Sequence, residues 1–461
     1  MVAWLTCQVL VAGAQTAPVQ DPIDRLLREQ QDKIRLERLQ QQTPEVAVPK
    51  ESIVDADAAP DSIADADPTF AIEQVILKGL EEHRDILSIA DERRLVAPFE
   101  GKRLGVNRIN LLLKRLTQAF IDRGWITTRA YIGNQNLASR ILELTVVPGR
   151  IEKLVYNGGN LPPTAWNKPG VRLAFPDKQG QLLNLTDLEQ GIDQLNRLRR
   201  NHAELRTEPG DTPGGSVVAI ENKDTERFYY SLGVDNYGSD TSGRTRYRAG
   251  VEADNLLGLQ EMLGLSYVGS LDTNALLFSS SLPWGYNTFN YTYSYSEFQD
   301  LIGDSALLFG RSEGHTLAWN RILSRSRLGK SGMDVSLSAR KAEREINNFE
   351  LLPQRLTVAR LGFNKLRRFE WSTVPGFWTA DAGYVRGLNV IGATDDPSDL
   401  PRDGAHAQFG KIDVSGSLAA QFGRSFAYRG ALNGQWTRNA LFSSEQIFAG
   451  GASSVRGFSE S

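Results

Sequence analysis

The residues able to perform acid–base or metal chemistry are scattered through this 461-residue chain. The four histidines share no His-x-x-His spacing, so no zinc site is expected. They are His83, His202, His315 and His406. We also expect no serine-hydrolase Gly-x-Ser-x-Gly nucleophile elbow and no phosphate loop. The sequence therefore predicts no catalytic residue, no metal and no cofactor, and the protein is not expected to be an enzyme.

One charged side chain near the end of the sequence has a more defined chemistry. Val455-Arg456-Gly457-Phe458 follows the pair Gly450-Gly451 after a long run of strand-like segments. A guanidinium shielded from water binds a carboxylate through two parallel hydrogen bonds. Gly457 permits a tight bend, and Val455 and Phe458 can pack against a wall. Arg-Gly is also a common turn dipeptide, so an ordinary surface turn is the alternative interpretation.

The composition limits the class of protein. The 52 basic and 55 acidic residues nearly cancel, which favours neither nucleic acid nor an acidic partner. No segment approaches the roughly 20 apolar residues of a membrane helix, whereas a barrel strand needs only about 10 alternating residues. Residues 1–14 resemble a partial signal peptide that ends in Ala12-Gly13-Ala14, with the true start codon left open. That segment holds the only cysteine, Cys7.

The segments after residue 226 alternate between apolar and polar residues with a period of two. We count about eleven such segments between Arg227 and Thr437, most of them longer than the strands of soluble sheets. One face carries aromatic and aliphatic side chains, as in Phe289 to Tyr295. The opposite face carries charges, which are expected to face a lumen: Arg246, Arg248, Glu252, Asp254 and Arg429. A soluble β-sandwich is the alternative, but strand length and aromatic residues at strand ends favour a membrane barrel.

The first half of the chain is predicted to contain helices and short strands instead of long alternating strands. Residues 15–42 predict one charged helix, and residues 43–68 predict a linker rich in Pro, Asp and Ala. A β-α-α-β-β pattern follows twice, over residues 69–148 and 149–222, with Pro148-Gly149 between the two copies. Any small α+β module would satisfy this pattern.

Taken with the Val-Arg-Gly-Phe loop, this organisation resembles the two-partner secretion outer-membrane transporters, the haemolysin secretion/activation or TpsB family. The resemblance implies a mixed fold class, α+β followed by all-β. An N-terminal helix and linker precede two polypeptide-transport-associated (POTRA) domains, and residues 226–461 form an antiparallel transmembrane β-barrel. The family's barrel has about sixteen strands, and its inward-folded sixth loop follows the eleventh. We therefore expect a barrel that is incomplete in this sequence and ends within that loop.

The same resemblance implies a function. The POTRA domains would bind an unfolded, β-helical secreted exoprotein in the periplasm, and the barrel would export it to the cell surface. Residues 15–42 would plug the pore, and Arg456 would hold the loop Gly450 to Phe458 in place by pairing with an aspartate. POTRA sheet edges can bind an extended segment by strand addition. The groove beside the second domain's helix, with Arg197, Arg199 and Arg200, is the expected binding surface, although these arginines could instead form a solvated face.

The expected partners are therefore one cognate exoprotein and outer-membrane lipid, without nucleic acid, and the pore is expected to act as a monomer. Two other functions fit the same pattern. One is an outer-membrane-protein insertase of the same superfamily, which the two POTRA units and the N-terminal helix disfavour. The other is a passive porin or adhesin barrel. The sequence does not identify the cargo. It also does not distinguish a gating role for Arg456 from a stabilising one.

Overall fold

A computed structural model describes residues 4–6, 60, 63–65, 67–160, 169–175, 179–236, 238, 243–302, 306–326, 328–371, 374–401, 403–423 and 426–447. The chain forms two compact units. One comprises Met1–Gln42, Arg197–Arg200 and Thr225–Ser461, and the other comprises Thr43–Asn196 and Asn201–Asp224. The predicted plug helix, almost all of the predicted linker and signal peptide, and the loop Gly450 to Phe458 lie outside the described residues.

The first strand, β1 (Trp4–Thr6), belongs to the large sheet described below. The first α+β module follows. Its elements are β2 (Phe70–Ile72), β3 (Gln74–Lys78), α1 (Ile89–Val96), β4 (Lys102–Leu104), α2 (Val106–Asp122), β5 (Arg129–Ile132) and β6 (Ile141–Val147). Strands β3, β6 and β5 form one sheet in that order, and β2 pairs with β4. The apolar face of α2 packs into the core through residues spaced at helical intervals, and Gly124 follows the helix with a positive φ of 90°.

The second module repeats this order. Its elements are β7 (Arg150–Tyr156), β8 (Gly159–Asn160), α3 (Pro169–Ala174), α4 (Leu185–Asn196), β9 (Ala203–Pro209) and β10 (Gly215–Asn222). The sheet order is β8-β7-β10-β9. In both modules the first and last strands of the repeat, β3 with β6 and β7 with β10, pair in parallel. The two copies of the β-α-α-β-β pattern are therefore two copies of one topology, each with its own apolar core.

Most of the described residues after Glu226 lie in one large, mainly antiparallel sheet. Its strands are β11 (Phe228–Asp235), β12 (Arg246–Asp254), β13 (Met262–Gly269), β14 (Thr273–Trp284), β15 (Asn287–Ile302), β16 (Ala306–Ser326), β17 (Gly329–Ile346), β18 (Phe349–Glu350), β19 (Gln354–Trp371), β20 (Val374–Leu388), β21 (Gly410–Phe422) and β22 (Phe426–Thr437). Apart from the two-residue β18, which pairs only with β17, each strand pairs with its neighbours in chain order. This gives eleven consecutive antiparallel strands, as predicted, and β1 pairs in parallel with β22.

The two faces of this sheet differ in chemistry. The register places Leu361, Tyr384, Ile412 and Trp436 side by side across β19 to β22, each more than two-fifths exposed. We call this the apolar face. Neighbouring positions, such as Asp413 with its pairing partners Gly383 and Gln435, lie on the opposite face, which we call the polar face. A sheet with this much exposed apolar area needs a non-aqueous neighbour.

The two ends of the sheet also differ. At the turn end, short connections join β14 to β15, β16 to β17 and β19 to β20, and at the loop end longer segments include residues 389–409. Exposed aromatic side chains lie on the apolar face near both ends. Those near the turn end are Trp284, Phe289, Trp371, Phe422 and Phe426, and those near the loop end are Tyr247, Tyr267, Tyr384 and Trp436. Within the described residues, no helix is both long and apolar enough to cross a membrane.

Candidate functional site

The polar face of β17 to β21 is organised around one arginine. Arg360 on β19 donates from each of its three guanidinium nitrogens to a carboxylate on a different strand. The acceptors are Asp334 on β17, Asp381 on β20 and Asp413 on β21, the last with an Nε to Oδ2 distance of 2.9 Å. The arginine is 21% exposed and the carboxylates 14–37%, so water only partly screens the cluster. One cation therefore joins four strands while leaving an excess of negative charge.

Two glycines make room for this cluster. A Cβ at Gly383 would lie 2.5 Å from both Arg360 Nη2 and Asp413 Oδ1, and a Cβ at Gly362 would lie 2.6 Å from Asp334 Oδ2. Neither glycine has a positive φ. Their absent side chains, rather than backbone freedom, let the guanidinium lie flat against the sheet.

The segment after β22 turns onto this same polar face. Lys411 Nζ on β21 donates to both the backbone oxygen and Oε2 of Glu445, each at 2.8 Å. Gln435 Nε2 on β22 donates to the same backbone oxygen at 2.9 Å. The Lys411 side chain is 12% exposed and the Glu445 side chain 19%. Because Lys411 and Gln435 both lie on the polar face by register, the segment reaches the sheet from that side.

Apolar side chains support the same attachment. Leu441 is 5% exposed, and Phe442 packs against the same cluster. The other members come from β19, β20 and the segment before β21: Leu356, Val358, Val385, Ala407 and Phe409. The backbones also meet, since His406 N donates to Ala440 O at 2.9 Å and Ala405 forms a parallel bridge with Ala440. The first ten residues after β22 are thus built into the sheet face through polar, apolar and backbone contacts.

The charges that we expected on the lumen side all fall on the polar face by register. Arg246 is 6% exposed, and its Nε lies 2.8 Å from Asp235 Oδ1. Arg248 Nε lies 3.0 Å from Asp235 Oδ2, so one carboxylate on β11 serves two arginines on β12. Glu252 pairs across to Tyr229, and Asp254, at the end of β12, is fully buried. Arg429 on β22 pairs with Ala419 and is exposed.

No described residues suggest catalysis. The sequence does contain a Gly-x-Ser-x-Gly pattern, Gly310 to Gly314, which our expectation of no nucleophile elbow did not consider. These residues lie inside strand β16, and Ser312 is 2% exposed and accepts a hydrogen bond from Arg340 Nε at 3.2 Å. A nucleophile elbow requires a strand-to-helix turn, which is not present there. Among the described residues no group of three or more His, Cys, Asp or Glu side chains is arranged to hold a metal ion.

Comparison with known families assigns this architecture. The family described as haemolysin secretion/activation protein ShlB/FhaC/HecB matches residues 214–461. The ShlB-type POTRA domain matches residues 70–149, and a second POTRA domain matches residues 150–209. The chain belongs to the haemolysin secretion/activation family.

Individual relatives agree. The outer membrane transporter CdiB of Dickeya dadantii is 30% identical over 405 residues, covering 85% of this chain and 70% of the relative. The hemolysin transporter protein ShlB of Serratia marcescens is 30% identical over 372 residues, covering 77% of this chain and 63% of the relative. A solved structure of CdiB from Escherichia coli has a TM-score of 0.82 at 27% identity, covering 96% of this chain and 82% of that one.

Membership of this family identifies what the apolar and polar faces of the large sheet contact. The protein is an outer-membrane transporter of the two-partner secretion class, an export pore with periplasmic POTRA domains. The predicted fold class and localisation are confirmed. The apolar face of the sheet is the lipid-facing side of the barrel, and the polar face lines the lumen. The turn end is periplasmic and the loop end extracellular, because barrels of this kind keep their short turns in the periplasm.

The three arginines expected to line a POTRA groove lie in different surroundings. Arg197 donates to Ser281 Oγ on β14, and its Nη2 donates to Gln260 O in the β12–β13 turn at 2.6 Å. Burial lowers the pKa of Arg197 to about 10, against the opposing attraction of Asp254 and Glu261. Both contacts are with the barrel unit, to which residues 197–200 belong.

The other two arginines differ from each other as well. Arg200 is 4% exposed, and its backbone N–H donates to Asp254 Oδ2 at 3.2 Å. Arg199 is exposed, with its guanidinium carbon 4.2 Å from the centre of the Tyr229 ring. The three arginines thus do not form one open surface: Arg199 is exposed, Arg197 is half-buried and Arg200 is buried. The helix that precedes them in sequence, α4, has nine of its twelve residues buried.

Two features of the site were not anticipated from the sequence. Arg360 binds a carboxylate 53 positions further along the chain, and only the period-two placement of these residues on the polar face could be read from the sequence. The attachment of residues 438–447 through Lys411, Leu441 and Glu445 gave no periodic signal, because the segment is neither helix nor strand apart from a single 3₁₀ turn, Ser443–Glu445. The predicted pore-loop residues Gly450, Gly451 and Val455 to Phe458 lie outside the described residues.

Proposed function

We propose that this protein recognises one unfolded exoprotein through its POTRA domains and exports it through the barrel lumen to the cell surface. The observation that carries the proposal is the segment 438–447, which enters the polar face immediately after the eleventh strand. A segment that turns into the lumen and packs on its wall narrows the channel, as a gated export pore requires. The exoprotein is expected to be β-helical, and one copy of the transporter is expected to suffice.

The export test uses the full-length transporter with a candidate exoprotein, chosen from the large secreted proteins of the same genome. Cells that carry both are expected to release that protein into the medium, and cells that lack the transporter are expected to retain it in the periplasm. Release of the same protein without the transporter would contradict the proposal. Assembly defects in other outer-membrane proteins, without an effect on release, would favour an insertase instead.

The recognition surface is best sought at the open edges of the two POTRA sheets. Strand β5, at one edge of the first module, exposes Tyr131 by 55% and Ile132 by 43%. Strand β9, at an edge of the second, exposes Glu204, Arg206 and Glu208 instead. Charged edge strands discourage strand addition, whereas an apolar edge supplies both main-chain bonds and side-chain contacts. We therefore place the exoprotein's first contact on β5.

A matched pair of variants tests this choice. Tyr131→Asp is expected to weaken binding of the exoprotein to the POTRA unit roughly tenfold, because an aspartate on the edge opposes an added apolar strand. Glu204→Lys on β9 changes a charge on the other edge and is expected to leave binding within about twofold. The measurement is the dissociation constant for the exoprotein's N-terminal region. Equal losses in both variants, or a loss only in Glu204→Lys, would move the site away from β5.

Two further elements complete the proposal, both outside the described residues. Residues 15–42 would plug the lumen, and Arg456, flanked by Val455, Gly457 and Phe458, would fix the loop through an aspartate. Deleting residues 22–42 from the full-length transporter is expected to raise pore conductance or open probability in planar bilayers. An unchanged conductance would remove the plug from the account.

A further inference from the structure

We infer that residues 438–447, the loop base, stay attached to the lumen wall throughout export, so that the exoprotein passes beside a fixed loop base. This inference rests on the proposed export function. That function requires the lumen to open, and the simplest version has the whole sixth loop withdraw. The contacts of the loop base argue against withdrawal of this part.

The polar attachment is shielded and converges on one residue. Glu445 accepts three hydrogen bonds of 2.8–2.9 Å, two from the Lys411 ammonium and one from Gln435. Lys411 also lies 5.6 Å from the centre of the Phe409 ring. Pulling the loop base away would break this ion pair and all three hydrogen bonds, which costs more than separating a fully exposed ion pair.

The apolar attachment uses a second set of side chains, which meets the polar attachment where Phe409 contacts Lys411. Leu441 is buried among side chains from β19, β20 and the segment leading into β21, and Phe409 at its side is fully buried. Withdrawal would expose this cluster to lumen water. Residues 405–410 would also lose the backbone bond from His406 to Ala440 and the bond from Gly410 N to Asn439 Oδ1 at 3.1 Å. The loop base therefore behaves structurally as part of the wall formed by β19 to β22.

A reversible crosslink tests the inference. Ala405 and Ala440 pair in a parallel bridge, which brings their backbones close together. The full-length transporter carries Ala405→Cys and Ala440→Cys in a Cys7→Ser background, with its cognate exoprotein in the same cells. Export is compared with the crosslink formed by an oxidant or a short bis-maleimide and with the thiols kept reduced.

The expected result is efficient crosslinking with an export rate within twofold of that of the reduced protein. A fall of tenfold or more in the export rate on crosslinking would overturn the inference, provided that reducing the disulfide restores export. Failure of both reagents to crosslink the two cysteines would also overturn it. Ser415→Cys with Asn433→Cys, directly opposed on β21 and β22, controls for the oxidant. If even the reduced and unmodified transporters release no exoprotein, the proposed function fails rather than the fixed loop base.

A second measurement follows the loop base during transport. A single cysteine at Leu441 is expected to react with a membrane-impermeant maleimide at the same slow rate, within twofold, whether or not exoprotein is being produced. A rise of fivefold or more during export would show that the loop base leaves the wall. Lys411→Met is the positive control, expected to raise the labelling rate of the same cysteine by removing the ammonium that holds Glu445.

Discussion

Replacing Arg360 by glutamine should destabilise the barrel strongly, because three carboxylates converge on this one side chain. Without it, Asp334, Asp381 and Asp413 lack their shared counter-charge, and two unit charges about 5 Å apart repel by about 3 kcal/mol at an effective dielectric constant of about 20. Partial exposure of the carboxylates, at 14–37%, reduces this to about 1 kcal/mol for each pair. With the lost charge-assisted hydrogen bonds, we expect a total cost of about 3–5 kcal/mol.

The assay is unfolding of the purified full-length barrel in urea, followed by the shift between folded and unfolded bands on unheated gels. Arg360→Gln is expected to lower the urea midpoint clearly, and Arg429→Gln, an exposed polar-face arginine on β22, to leave it nearly unchanged. A loss of stability common to both variants would show a general effect of removing lumen charge.

The sharper test is whether the effect of Asp381→Asn on stability changes sign when Arg360 is absent. In the natural protein, Asp381→Asn removes an acceptor of Arg360 and is expected to be neutral or destabilising. In the Arg360→Gln background the same change removes a repelling carboxylate, so it should restore about 1–2 kcal/mol. Equal effects of Asp381→Asn in the two backgrounds would refute the electrostatic reasoning.

Three further predictions follow from contacts of single residues. Gly383→Ala places a Cβ 2.5 Å from the Arg360 guanidinium and should lower the urea midpoint. Gly233→Ala, whose Cβ would have its nearest neighbour 3.6 Å away, should leave the midpoint unchanged. Equal midpoints for the two variants would show that Arg360 does not need the space at Gly383. Arg197→Met should speed protease cleavage of the β12–β13 turn about tenfold by removing the hydrogen bond to Gln260 O, and Arg199→Met should not. The opposite order would contradict the assigned contacts. Leu441→Ala should destabilise the packing of the loop base on the wall by about 2–5 kcal/mol. The measurement is the rate of proteolysis after β22, which should rise. An unchanged rate would show that Leu441 is not packed as described.

Much of the barrel could be predicted from the sequence because the strand period of two fixes which face a residue occupies once the strand is located. Ile412 and Asp413 are adjacent in sequence, and alternation alone assigns one to lipid and the other to the lumen. Alternation does not predict which side chains on different strands contact one another. Arg360 meets Asp413 only because the register between β20 and β21 sets Asp413 beside Gly383, and that register depends on turn geometry and packing along several strands.

The arginines after α4 show a second limit. A cluster of basic residues such as Arg197, Arg199 and Arg200 looks the same in sequence whether it faces solvent, a ligand or another part of the chain. Only the meeting of Arg197 with residues 63 and 84 positions further on makes it a buried contact. The loop base was hidden for the same reason, since a segment without periodicity carries no sign of what it packs against.

The most direct test of the account is the accessibility of successive residues along β21. Single cysteines at positions 411–418 of the full-length transporter in lipid bilayers carry a spin label, whose relaxation is measured with oxygen and with a water-soluble nickel complex. The account predicts strict alternation, with Ile412, Val414 and Leu418 exposed to oxygen in lipid and Asp413 and Ser415 protected from it. Uniform access to the nickel complex, or no alternation, would contradict a strand with lipid on one side and a lumen on the other.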